Sequence, residues 1–184
     1  MGVAAGVRVK AIVVVDLVNG FCRSGNLASP RLAAVVAPVR AYLEAETAAG
    51  AVPIFLADTH EPDDPEFAVF PPHCVAGSGE EEIVAELAPL AAATTVVRKR
   101  RFSGFFGTQL DGLLAALAPD VVDVVGVCTD ICVLHTIADL RNRDYAVVVP
   151  RALVETYDGP GHDATEVNGF ALAHLRDVLG AKVV

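Results

Sequence analysis

Asp16 stands directly after the first strand-like run, and the fourth run leads through Cys128-Thr129-Asp130-Ile131 to Cys132, so a carboxylate and a thiol each fall where a segment of strand character ends. A base and a thiol nucleophile are the parts that acyl transfer needs. Singly, each has a plainer reading: Asp16 as a capping aspartate and Cys132 as an inert buried thiol. Placement of Cys132 in the first turn of a helix, where free N–H groups and the helix dipole favour thiolate, brings the nucleophilic and inert readings level. Asp58-Thr59-His60, then Glu66, then His73 offer two imidazoles and two carboxylates, a donor set for Zn²⁺, Mn²⁺ or Fe²⁺; the alternative is scattered surface polarity. Arg98-Lys99-Arg100-Arg101 reads by itself as a solvated basic turn. His135 lies deeper along the helix that Cys132 opens and reads as a packed or hydrogen-bonded histidine, not as a base.

These residues need a scaffold that presents strand ends. Residues 9–15, 52–57, 94–98, 121–127, 145–149 and 182–184 are short β-branched runs, the pattern of strands buried on both faces. Helices are expected between them, over residues 29–49, 80–90, 108–117, 130–143 and 163–179. The first of these has Ser29 as N-cap, Pro30 at its first position and Gly50 as its stop. Regular alternation predicts an α/β fold: a three-layer, doubly wound, mostly parallel sheet with helices on both faces. Ligands of such a sheet sit outside the carboxyl ends of its strands. No G-x-G-x-x-G follows the first strand, which argues against a dinucleotide. The connection over residues 58–79 has no helical period, and loops of that length are usually functional.

The 184 residues form one expected domain over 1–184, and 53% hydrophobic against 20% charged residues excludes a disordered chain. Asp16, Pro38 and Asp123 interrupt the apolar runs, which excludes a membrane span. A net charge of −9 repels a phosphate backbone, so no nucleic-acid partner is expected. Arg8 and Lys10 stand where a signal peptide carries its apolar stretch. The four cysteines, Cys22 and Cys74 among them, show no disulfide or zinc-ribbon spacing, so a reducing cytoplasm is expected. The high apolar fraction points to a homo-oligomer.

Asp16 at the first strand end, Asp58-x-His60 with Pro72-His73, Lys99 after a middle strand, and Gly126-Val127-Cys128-Thr129-Asp130-Ile131-Cys132-Val133 together resemble the isochorismatase-like cysteine hydrolases, and within them the nicotinamidase branch, over nearly the whole chain. The resemblance implies Cys132 as nucleophile, Asp16 as general base and Lys99 as the third catalytic residue, a cation that would favour the thiolate. It implies a metal held by Asp58, His60, Glu66 and His73, zinc first and manganese or iron otherwise. It also implies an oxyanion hole from the backbone N–H groups of Cys128 and Cys132, a cis peptide between Val127 and Cys128, and Phe21 and Phe70 flanking a flat ring, unless these two only pack. The expected reaction is hydrolysis of a small carboxamide, nicotinamide to nicotinate and ammonia through a thioester. Alternatives are an N-carbamoyl or ureido amidohydrolase, isochorismatase, and a catalytically silent scaffold. Asn19 replaces the acidic residue many members carry, and Thr59 and Phe70 stand where tryptophans are common.

Overall fold

Five consecutive aliphatic residues, Ala11 to Val15, are fully buried in β1 (Lys10–Val15), which requires a central strand covered on both faces. The computed structural model describes residues 9–184, so the reading of the N-terminus as lacking a leader falls largely outside the described residues. After β1 come α1 (Asn19–Cys22), α2 (Pro30–Ala33), α3 (Val36–Ala48) and β2 (Val52–Asp58), and the long loop then leads to α4 (Ala88–Ala92) and β3 (Thr95–Lys99). The second half holds α5 (Leu110–Leu117), β4 (Val121–Val127), α6 (Leu134–Arg141), β5 (Val147–Val149), β6 (Val154–Glu155), α7 (Ala164–Asp177) and β7 (Lys182–Val183).

All seven strands pair in parallel, in the order β3-β2-β1-β4-β5-β7, with β6 also beside β4. Alternate residues of the central strands feed two cores. Ile12, Val14, Phe55 and Val125 pack with Val36, Val39 and Leu43 of α3. Ala11, Val13, Leu56 and Val124 pack with Leu110, Leu114, Ile137, Leu140 and Leu175 of α5, α6 and α7. The three-layer α/β expectation therefore holds.

Four local expectations need correction. The helix read over 29–49 is two, because Pro38 has no N–H to donate to the carbonyl of Ala34 and its ring crowds that carbonyl, so the chain turns between α2 and α3. Over 80–90 only the end is helical. There the carbonyls of Glu80 and Glu82 accept from Gly20 (2.8 Å) and Asn19 (2.9 Å), so they serve α1 instead of a helix ladder. The segment 130–143 begins as a π-type turn, Thr129–Val133, closed by Val133 N–H to the Cys128 carbonyl at 3.1 Å, before α6. The two-residue β6 was not anticipated; it carries too few residues to show a period. Among the described residues no helix is long and apolar enough to cross a membrane, and the four cysteines are buried and free.

Candidate active site

Three neighbouring strands deliver their last residues to one point. Asp16 follows β1 with φ 52°, a left-handed conformation that aspartate tolerates, and its N–H donates to the Leu56 carbonyl at 3.1 Å. Lys99 ends β3, two strands from β1, and its side chain passes over the end of β2. Its Nζ lies 2.8 Å from Asp16 Oδ2, 2.9 Å from Asp58 Oδ1 and 3.6 Å from Cys132 Sγ. All four side chains are buried. A charged ammonium this deep is sustained by two carboxylates.

Burial pushes the Asp16 carboxyl up to about 6, against the pull of Lys99 and with Asp58 adding to the rise. Burial lowers the affinity of Lys99 for its proton, but Asp16 and Asp58 overcome that and hold it charged. Cys132 departs from expectation. Burial raises its thiol well above the usual range, and Asp16 and Asp58 add to the rise while Lys99 opposes it. The turn and the lysine that favour thiolate are outweighed by desolvation and two adjacent anions.

The loop after β2 returns on itself. His60 N–H donates to the Cys74 carbonyl and Ala76 N–H to the His60 carbonyl, each at 2.9 Å, which brings His73 beside His60. His60 Nε2 and His73 Nε2 lie 3.0 and 3.2 Å from Asp58 Oδ2. Donor atoms of Asp58, His60 and His73 all fall within 4.8 Å of one another, so these three residues form a candidate metal centre. The Pro71 carbonyl, 2.8 Å from His73 Nδ1, fixes that ring with Nε2 inward. Glu66 Oε1 stands 3.9 Å from His60 Nε2 and 4.0 Å from His73 Nε2, a step outside the tighter three. Its Oε2 is buried with no hydrogen-bond partner among the described residues, and two imidazoles with carboxylates suit a divalent transition metal.

Asp64 was not foreseen. Its Oδ2 lies 3.3 Å from His60 Nδ1, its Oδ1 accepts from Arg101 at 2.8 Å, and it orients the imidazole from behind. Burial raises its carboxyl, but the Glu66 N–H and Arg101 outweigh that and hold it at about 2. Its only sequence signal was a position four residues after His60. Arg101 likewise belongs to the basic run read as a solvated turn, where Lys99 proves buried.

A cavity of about 260 Å³ opens onto both clusters, touching Cys132 and Cys128 as well as Asp58, Glu66 and His73. Phe21 and Phe70 line it, and so do Phe102 and Tyr157, which the sequence did not single out because nothing local in the chain sets them apart from core aromatics. The Val127–Cys128 peptide is cis. The Cys128 carbonyl accepts from Ile131 and Val133, both at 3.1 Å, so the Cys132 N–H between them is not one of its donors. His135 is exposed, with Nδ1 2.7 Å from the Ile131 carbonyl, the hydrogen-bonded role expected of it.

A buried thiol, carboxylate and ammonium at the carboxyl ends of a doubly wound parallel sheet define a cysteine hydrolase. The isochorismatase domain model matches residues 10–177, and the chain belongs to that family. Three solved structures are similar over 95% of this chain. A pyrazinamidase/nicotinamidase from Streptococcus mutans is 31% identical, with TM-score 0.86 and 99% of its chain covered. An N-carbamoylsarcosine amidase from Thermoplasma acidophilum is 35% identical, with TM-score 0.82 and 94% covered. A pyrazinamidase of Pyrococcus horikoshii in complex with zinc is 25% identical, with TM-score 0.81 and 98% covered. The protein is thus an enzyme of nicotinamidase-like, amide-hydrolysing type.

Proposed function

We propose that the protein hydrolyses nicotinamide to nicotinate and ammonia in pyridine-nucleotide salvage. One observation carries this reading: a single cavity is lined at once by Cys132, by the donors Asp58, Glu66 and His73, and by Phe21 and Phe70. A flat ring whose nitrogen faces the donors then has its carboxamide near the thiol, with aromatic side chains around it.

In this mechanism the Asp16 carboxylate accepts the Cys132 proton as sulfur bonds to the carboxamide carbon. The backbone N–H groups of Cys128 and Cys132 hold the resulting oxyanion. The C–N bond breaks, Asp16 returns the proton to the nitrogen, and ammonia departs from a thioester. Water then adds to the thioester carbon, giving a proton to Asp16. The C–S bond breaks, nicotinic acid leaves and loses its proton to the released ammonia, and the Asp16 proton goes back to sulfur. Lys99 stays charged throughout and offsets the two carboxylates. Asp58, His60 and His73, with Glu66 beside them, would hold a divalent ion, which would supply a Lewis acid toward the pyridine nitrogen. Zinc is favoured by this donor set and by the zinc-bound relative, with manganese and iron as alternatives.

The test is ammonia release from nicotinamide, with and without prior chelation, with Cys132→Ala as blank. Chelator-sensitive release that the variant lacks is expected. The second reading takes its reaction from the amidase relative: release from an N-carbamoyl amide, indifferent to chelator and absent with nicotinamide, replaces the first. We also propose a homo-oligomer, since α7 leaves Phe170 at 72% and the following Val178 at 67% exposure. A monomeric mass by light scattering at micromolar concentration refutes it.

A further inference from the structure

The cavity at Cys132 has a second side, built by segments other than the loop that carries the candidate metal ligands. Its metal side comes from the β2 loop, whereas its other wall comes from α2 with the segment before it and from the turn after β6: Leu27, Leu32, Tyr157 and Pro160, with Asn26, Ser29 and Asp158 among them and Ile131 beside the thiol. Sheet order separates the two. β2 lies on one side of β1 and β6 is reached through β4 on the other, so Asp16 and Cys132 stand between the metal side and this apolar wall.

The wall is built, not incidental. Arg31 at the start of α2 lies 3.2 Å from Glu155 and 3.8 Å from Asp158, which ties its two halves together. The Tyr157 ring stacks on His162 with centroids 4.2 Å apart and planes within 2°. His162 Nε2 lies 3.0 Å from Asp130 Oδ2, and Thr156 donates to Asp130 Oδ1 at 2.5 Å. Asp130 belongs to the turn that carries Cys132, so the wall is anchored to the nucleophile's own turn.

We propose, resting on the nicotinamidase reading, that this wall receives an apolar substituent on the substrate ring, making the enzyme a hydrolase of 5-alkylated pyridine-3-carboxamides as well as of the bare ring. With the ring nitrogen toward the metal donors and the carboxamide at Cys132, carbon 5 is the ring position remote from both. A group there leaves the metal side and meets Leu27, Leu32 and Tyr157. Each methylene buried contributes about 0.8 kcal/mol, or about fourfold in affinity.

The experiment measures KM and kcat for nicotinamide and its 5-methyl, 5-ethyl and 5-propyl derivatives on the metal-loaded wild-type enzyme, then on Leu27→Trp. Expected is a KM that falls about three- to fourfold per carbon in the wild type. In Leu27→Trp the 5-propyl to nicotinamide ratio of kcat/KM should drop at least about tenfold. Cleavage of nicotinamide with the alkyl series rejected or flat overturns this inference and leaves the nicotinamidase reading standing. No release from any member overturns both. The wild-type series is decisive even if the variant misfolds.

Discussion

The ammonium of Lys99 lies 2.9 Å from Oδ1 of Asp58, whose other oxygen faces His60 and His73. One carboxylate therefore belongs both to the thiol site and to the donor cluster, and the two cannot be perturbed independently. Lys99→Met leaves Asp16 and Asp58 buried with no adjacent cation. Breaking a buried pair in this way costs about 3–5 kcal/mol. Denaturant unfolding of the chelated protein should show that loss, and ammonia release should vanish. A variant as stable as the wild type would mean that Lys99 is not what compensates the two anions.

Activity should fall in acid around the Asp16 carboxyl. Its folded value of about 6 lies above the ordinary 3.8, and only the ionised form accepts the thiol proton. The acid limb of kcat/KM is therefore expected to bend near pH 6, and Asp16→Asn should remove activity at every pH. The stability sign is the reverse of a salt-bridged carboxylate's. The folded state binds this proton more tightly than the unfolded chain, so the contribution is full below pH 3.8 and is lost as pH rises through about 6. A kcat/KM profile flat from pH 5 to 8 would remove Asp16 from the role of base.

Asp64 touches no reacting atom and should act through His60. Asp64→Asn keeps the shape but weakens the acceptor facing His60 Nδ1, 3.3 Å away, and the ion pair with Arg101. Loss of such a backing carboxylate typically costs about 10–100-fold in metal affinity. Zinc titration of the chelated protein by calorimetry measures it directly. The kcat of the fully metal-loaded variant should recover at saturating zinc, whereas a purely structural role would lower the melting temperature without changing zinc affinity.

What could be read from the sequence was whatever is local in the chain. Asp16 was picked out because it directly follows a β-branched run and Cys132 because it falls in the turn after one, whereas Lys99, at the end of a third run, read as part of a solvated basic turn until the resemblance to the family singled it out. The metal residues were found because His60 and His73 share one loop. Residues whose meaning depends on a distant partner stayed hidden. Asp64 needs Arg101 to complete it, and Tyr157 needs His162 and Asp130 to hold it in the cavity wall. The full electrostatics of Cys132 stayed hidden for the same reason: the turn that favours thiolate is local, but the carboxylates that raise the thiol arrive from β1 and β2. Pro38 could have split the first helix, since its effect on the carbonyl of Ala34 is fixed by spacing alone.

The tightest packing constraint falls at Gly126, one residue before the cis peptide. Gly126 has φ +116° and pairs with Val15, and a Cβ there would meet the Val15 carbonyl oxygen at 2.0 Å. Both atoms belong to central strands whose neighbours are fully buried, so neither backbone can retreat without opening both cores. Gly126→Ala is expected to cost more than about 4 kcal/mol and to yield little folded protein, the range reserved for clashes that the surroundings cannot relax. Gly112 on α5 gives the contrast, because its added Cβ meets nothing within 4 Å. Gly112→Ala should stabilise by about 0.5–1 kcal/mol through helix propensity alone. Parallel urea unfolding of the two variants reads both effects, and a Gly126→Ala protein that unfolds with the wild-type midpoint would show that β1 and β4 can separate after all.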